Sequence, residues 1–582
     1  MSKIAKNALV GLFFGFFVFQ ANAQEATNLS VSLSDSVYQL LEYASLRGII
    51  PLLPNEKPYT QKFVIEQLDK IIESGELSET DIEIYTATRN RILPSEKQKW
   101  YVYGGYTNFY ESAEENSETK KETELPVFVK TDFLLDFNIN CNQPDLSREY
   151  WHEIFFGGNI SEYFSYLLNF SYGLQNLATV AYPKNSYTKS WDGFQMPLDN
   201  VYDYAAINES LSIGFRMCPE LVFSYNDIVD VKFSRTKRQW GYGTNSLYLS
   251  DTAGPFVALE TKIQPLSWLK TNFLFGSLEY ENDASLKANS LIFQNLYAIV
   301  TGEINFNWFY GGIITSAVLP KRFELGYLNS LSFPVLAQNN YGDFDNVQGG
   351  MYLGTRIPKI GHIYASIFVD EINTSVSFAH LDRNMFCYQA GMKSPVPLWN
   401  SIITLQYTKI EPYMYTHPLT KTPWYPQDME MSYINHGHCL GYNLEPNSDE
   451  IRLEMGSLPL WFLKANLSYA LTRHGATKGS KAVDGSSFSD TLDYSGNLQG
   501  AQEGDLYWKD FLHDGAYEWI HSVSLGASLD CKKWNVPIEI GIAYTFCYTH
   551  YSYGTATSFE FFSDDEYKNE IANYLTLCVK VY

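Results

Sequence analysis

The chain has 582 residues, 16% of them aromatic and only 18% charged, against about 25% charged in ordinary soluble domains, which excludes a disordered chain. Forty-two basic residues against 65 acidic ones leave a net charge of −23, so no field exists to gather phosphates and no nucleic-acid partner is expected. Length admits several domains or one long barrel, and composition leaves a large soluble β protein or a membrane barrel.

Lys3 and Lys6 form a basic head, Ala8 to Phe19 an apolar stretch, and Ala21, Asn22 and Ala23 a small-x-small cleavage site before Gln24. Together they read as a cleaved secretory signal at 1–23, too short for a helical membrane span of roughly 20 residues. The mature chain is then expected either free outside the inner membrane or as a closed barrel in the outer one. No lipobox cysteine follows the apolar stretch, so a lipid anchor is not suggested. The seven cysteines show no CxxC spacing, and their odd count argues against a disulfide framework.

From Ser34 to about Leu93 the apolar spacing predicts three short helices. Val37, Leu40, Leu41 and Ala44 share a face, Phe63, Leu68, Ile71 and Ile72 repeat at helical spacing, and Ile82, Ile84 and Tyr85 begin a third segment. Thr60 and Ser78 are candidate N-caps, Ser78 with Asp81 at the capping-box offset. With so few large apolar groups this bundle, assigned to 24–98, must lean on something larger.

From Lys99 onward the period becomes two. Trp461, Leu463, Ala465, Leu467, Tyr469 and Leu471 alternate with Lys464, Asn466, Ser468 and Thr472. Phe164, Tyr166, Leu168, Phe170 and Tyr172 alternate with Ser165, Asn169 and Ser171; Ile304, Phe306, Trp308 and Tyr310 with Glu303, Asn305 and Asn307. Val523, Leu525, Ala527 and Leu529, then Ile538, Ile540, Ile542 and Tyr544, repeat the design. A soluble sandwich also alternates. Polar faces nine to twelve residues long with aromatics at segment ends favour a lipid-spanning barrel. The predicted fold is mostly β: a large transmembrane antiparallel β-barrel over 99–582, roughly 18 to 20 strands at about 25 residues per strand and connection, with about 18 the working number. The terminal aromatic Tyr582 fits recognition by the barrel assembly machinery, although Val579 and Val581 take the opposite parity. Polar insertions at Glu111 to Glu124 and Gly475 to Gln502 read as loops.

Three stretches carry a resemblance to a known family. Leu46-Arg47-Gly48-Ile49-Ile50 precedes a proline-rich link. Arg235 to Phe256 places basic residues before Trp240-Gly241-Tyr242-Gly243 and a Leu249-Ser250-Asp251 segment ending at Pro255. Tyr433 to Asp449 ends in Pro446-Asn447-Ser448-Asp449. In order and spacing these resemble the capsule assembly protein Wzi family, departing from it where Glu445 stands in place of a glycine. The resemblance implies a barrel whose N-terminal helices close the periplasmic end and whose surface loops hold extracellular polysaccharide, a lectin-like role without catalytic residues or cofactor. Surface polysaccharide, outer-membrane lipid and the assembly machinery are then the expected partners of a monomer.

Lys232, Arg235, Lys237 and Arg238 are the densest basic group. Facing the lumen they could hold an anionic glycan or pair with residues such as Asp227 and Asp230. Trp240 and Tyr242 could stack on sugar rings or on each other's neighbours, and their flanking glycines permit a sharp turn. His436, His438 and Cys439 suggest a metal, but alternation separates them, and no metal is expected; His436 fits a hydrogen-bonded strand end near Asn447 and Asp449. With Asn245, the candidate polysaccharide contacts are Lys232, Arg235, Lys237, Arg238, Trp240, Tyr242, Asn245, His436, Asn447 and Asp449. His152-Glu153 lacks a zinc-protease partner, Lys478 to Lys481 lacks phosphate-loop spacing, and no nucleophile elbow occurs, so no enzyme is expected. A porin-like diffusion channel and a surface adhesin remain the alternatives.

Overall fold

The computed structural model describes residues 26–93, 106–108, 128–140, 146–176, 205–208, 211–226, 228–279, 294–328, 333–342, 344–371, 385–417, 420–429, 431–435, 438–475, 485–488, 511–512, 516–553 and 568–581. The leader, Asp227, the Glu111 to Glu124 insertion, most of Gly475 to Gln502, His436 and Tyr582 lie outside the described residues.

Three helices form where the apolar spacing places them: α1 (Val37–Arg47), α2 (Gln61–Glu73) and α3 (Glu79–Ile92). The Thr60 hydroxyl accepts the Phe63 N–H and the Ser78 hydroxyl accepts the Asp81 N–H, while Ser78 donates to the Asp81 carboxylate at 2.7 Å. These contacts satisfy donors that a bare helix start leaves open. Gly48 ends α1 at φ +88, where a Cβ would also stand 2.8 Å from Pro358 of a barrel turn. Val37, Leu40, Leu41, Leu68, Ile71 and Tyr85 are buried together, and Leu458 of the barrel completes their core. The helices thus bury their apolar faces partly against the barrel, as so small a bundle requires.

Among the described residues the strands that run round the wall are β1 (Phe128–Asn140), β2 (Leu146–Ser161), β3 (Phe164–Asn176), β4 (Leu211–Met217 continued by Glu220–Tyr225), β5 (Val229–Thr236), β6 (Phe256–Leu266), β7 (Leu269–Ser277), β8 (Leu296–Asn305) and β9 (Phe309–Leu319), with short segments such as Tyr106–Asn108 and Ala205–Asn208 added alongside. They continue as β10 (Asn346–Ile357), β11 (Gly361–Glu371), β12 (Met385–Val396), β13 (Ser401–Ile410), β14 (Ser448–Leu460), β15 (Leu463–Gly475), β16 (Ala516–Asp530), β17 (Ile538–Tyr553) and β18 (Glu570–Val581). Each pairs antiparallel with the next, and β18 pairs β1 from Val581↔Phe133 to Tyr574↔Asn140, so the sheet closes. A sandwich is thereby excluded. Closure leaves no open edge for another chain to pair with.

Alternation sets the wall. On β3, Leu168 and Phe170 face out and Ser165 and Ser171 are fully buried inside; on β10, Leu353 is 51% exposed outside while Gln348 is 0% exposed inside. Leu467, Leu525, Ile540, Ile542 and Tyr544 extend the outer apolar band. No helix among the described residues is long and apolar enough to cross a membrane.

One expected strand is corrected. Ile304 to Tyr310 is not continuous: β8 stops at Asn305, Asn307 takes φ +71, and β9 begins at Phe309. Phe306 and Trp308 therefore lie exposed in a turn, whereas Tyr310 points inward at 0% exposure. A tight turn breaks the count of two that parity depends on.

Short turns gather at one end of the barrel and long connections at the other. The helices sit at the short-turn end. The Lys359 N–H donates to Leu46 O at 2.8 Å, Arg356 donates to Ser45 O at 2.9 Å and Ile50 O at 2.6 Å, and Lys393 donates to Glu42 at 2.6 Å. Trp268 stacks on Phe306, and Phe462 packs on Trp461 and Trp534, forming an aromatic belt at the same end.

Candidate functional site at the loop end

Two long connections turn into the lumen instead of outward: residues 237–255 between β5 and β6, and the stretch after β13 that includes 411–417, 431–435 and 438–447. The first enters through Gly241 at φ +137, where an added Cβ would lie 2.8 Å from Ser246 Oγ. There the Gln239–Trp240 backbone pairs with Glu56–Lys57, the link between α1 and α2. The link between the first two helices and the central loop thus meet inside the barrel.

Above that junction the two loops knit together. The Ser250 N–H donates to Leu440 O at 2.7 Å, Tyr415 OH to Leu247 O at 2.9 Å, Tyr433 OH to Tyr248 O at 2.7 Å, and Asn435 Nδ2 to Ala253 O at 2.6 Å. The rings of Tyr415 and Tyr433 stack at 5.6 Å, and Tyr433 also bonds the Tyr297 hydroxyl. Trp240, Leu247, Leu249, Tyr310, Phe368, Met414, Met431 and Tyr442 complete one buried cluster within the wall. Each such side chain contributes roughly 1.5–3 kcal/mol by leaving water, and each tyrosine hydroxyl needs the partner it finds. A small void lined by Tyr242, Tyr310, Tyr352, Tyr364 and Gln389 remains, about one water in size.

Beneath lies a charged node. Lys270 donates to Glu56 at 2.6 Å and to Asn55 Oδ1 at 3.2 Å, and stands 3.2 Å from Glu303. Tyr352 donates to Glu303 at 3.1 Å and Tyr242 at 3.3 Å. Burial raises the Glu56 carboxyl above its ordinary range against the pull of Lys270.

The ten candidate residues fall into several settings. Lys232 and Arg238 share Glu260, at 3.6 and 2.6 Å, on the lumen side; Arg238 also donates to three backbone carbonyls and its side chain is 0% exposed. Arg235 takes the parity of outward Phe233 and forks onto Glu279 at 2.7 and 2.6 Å. Lys237 follows at the start of the inward loop, half-buried. The pairing partners are therefore Glu260 and Glu279, while Asp230 pairs with Lys262 and Asp227 lies outside the described residues. Trp240 is buried in the lumenal cluster, and Tyr242 packs on Tyr310 at 4.1 Å. Asn245 is buried with neither amide atom bonded to protein, while its carbonyl accepts from Gln389. Asn447 accepts the Leu512 N–H and donates to Ser486, and Asp449 pairs with Arg473 and accepts from Tyr407. The structure brings Arg238, Trp240, Tyr242 and Asn245 onto one loop and places Asn447 and Asp449 across the barrel at the foot of another.

Sequence reasoning passed over Lys270 and the lumenal tyrosines. A signal existed: Tyr352 sits between outward Met351 and Leu353, an aromatic at polar parity. Among the described residues no three His, Cys, Asp or Glu side chains gather to hold a metal; Cys439 is buried where His438 is exposed.

No family model matches the chain, and no curated protein matches it in sequence. In fold it is similar to the Escherichia coli protein Wzi, an outer-membrane protein involved in group 1 capsule assembly and a carbohydrate-binding β-barrel: TM-score 0.54 and 11% identity over 95% of this chain and 99% of that one. Pseudomonas aeruginosa OpdK with vanillate gives a TM-score of 0.40 at 11% identity, over 78% of this chain and 98% of that one. Acinetobacter baumannii OccAB2 gives 0.39 at 8%, over 78% and 97%.

Proposed function

We propose that the chain is a noncatalytic outer-membrane barrel that holds surface polysaccharide at its loop end, exported by its leader and acting as a monomer. The observation that carries this reading is the pair of inward loops packed around Tyr415 and Tyr433, which fill the bore and make the loop face, not the lumen, the working surface. A wide diffusion channel is hard to reconcile with fully buried aromatics across its interior. The fold likeness to a carbohydrate-binding barrel over 95% of the chain supports the sugar reading. On this view Lys232, Arg238, Trp240, Tyr242 and Asn447 act as the frame that shapes the loops. Arg235, Asn245 and Asp449, paired or enclosed in the same way, belong to that frame, which leaves Lys237 and His436 as the residues of the set through which a polymer is contacted.

The test is a deletion strain stained for surface-retained polymer, with the folded protein screened on a glycan array and in planar bilayers. Loss of retained polymer, glycan binding and a closed bilayer trace are expected. Large steady openings with no glycan bound would replace this reading with a diffusion channel.

A further inference from the structure

The connection between β9 and β10 neither rises from the rim nor enters the lumen; it folds back over the outside of the wall. Phe273 and Phe275 of β7, Ala298 and Val300 of β8, and Ala317 and Leu319 of β9 share the outward parity of Ile304 and Ile313, yet all are buried. What covers them is a short helix, α4 (Pro334–Tyr341), with the turn Leu325–Leu328, through Tyr327, Phe333, Ala337 and Tyr341. The root of this cover is polar. Arg322 and Tyr327 both donate to Asp345, at 2.6 and 2.7 Å, and the Trp424 indole N–H donates to Pro320 O at 3.1 Å with the Arg322 guanidinium over its ring.

The far face of the cover is apolar as well. Phe323, Leu325, Val335 and Leu336 are 56, 69, 42 and 66% exposed. A loop standing in water has no reason to present four large apolar side chains outward after burying its other face. Ile313 and Met351, paired with each other and 49 and 57% exposed, belong to the outward apolar band of the same two strands on which the cover packs through Ala317, Leu319 and Val347. We propose that this segment is an in-plane lipid element: Phe323, Leu325, Val335 and Leu336 lie among the acyl chains of the outer leaflet. Trp424 and Arg322 hold its root at headgroup level, the usual place for an amphipathic aromatic and a cation. The inference rests on the outer-membrane reading.

The test places a photoreactive benzoylphenylalanine at Leu336, and separately at wall residue Met351, in the full chain folded into dioleoylphosphatidylcholine vesicles, with adducts read by mass. Lipid adducts at both positions are expected. Lipid adducts at Met351 with none at Leu336, or with a chain-to-chain adduct at Leu336, overturn the lipid element and leave the barrel reading intact. No lipid adduct at either position overturns both.

Discussion

Lys270 of β7 donates to Glu56 at 2.6 Å across 214 residues of sequence and stands 3.2 Å from Glu303 of the next strand, so one ammonium joins the helical bundle, the wall and, through Tyr242, the inward loop. Its side chain is 7% exposed and that of Glu303 is fully enclosed. Removing the cation leaves two carboxylates without their counter-ion, a situation that costs about 3–5 kcal/mol. Lys270→Met should lower the unfolding midpoint of the detergent-folded protein accordingly, whereas Asp69→Asn at the more exposed Arg89 pair should cost less than about 1 kcal/mol. Equal effects would show that the node carries no special weight.

The lumenal stopper can be loosened at Tyr433, whose ring stacks on Tyr415 and whose hydroxyl donates to Tyr248 O. Tyr433→Ala should cost about 3–5 kcal/mol, in line with other large aromatic truncations in close-packed cores. In planar bilayers the variant should show flickering openings absent from the parent. Identical quiet traces from a folded variant would mean that the two loops do not seal the bore.

Docking of α1 on the wall should weaken in acid. Burial disfavours the Glu42 carboxylate, but Lys393 at 2.6 Å, with Lys57, outweighs it and brings the carboxyl down to about 2. A depressed acid stabilises the folded state above its unfolded value near 4.3, and that contribution is lost as pH falls toward about 2. Proteolysis of 26–93 should therefore stay slow at neutral pH and accelerate between these limits. Glu42→Gln should flatten that part of the profile; an unchanged profile would remove Glu42 from the account.

The Thr60 cap offers a local measurement. Thr60→Ala should cost about 1 kcal/mol, read as faster amide exchange in the first turn of α2, the Phe63 N–H first. Unchanged exchange there would assign the helix start to packing alone.

The helix caps, the apolar face of α1 and the two-residue alternation of β3, β15, β16 and β17 were legible because each depends on residues one to four positions apart. The turn at Asn307 was not, since alternation ran through it unbroken in composition while the backbone reversed. The basic group was visible too, but its partners Glu260 and Glu279 were not.

Local spacing alone therefore determined that this chain makes three helices, two of them capped by Thr60 and Ser78, and a run of two-faced strands. Which connections turn inward, which folds over the wall, and which carboxylate meets which cation were decided only when β18 met β1. Ring closure sets the register that brings Lys270 to Glu56 and Tyr433 to Tyr248, contacts between residues far apart in sequence and within 3 Å in space. No pattern of neighbours encodes such pairs, because their strength comes from the dry, close-packed interior that exists only after the cylinder has formed.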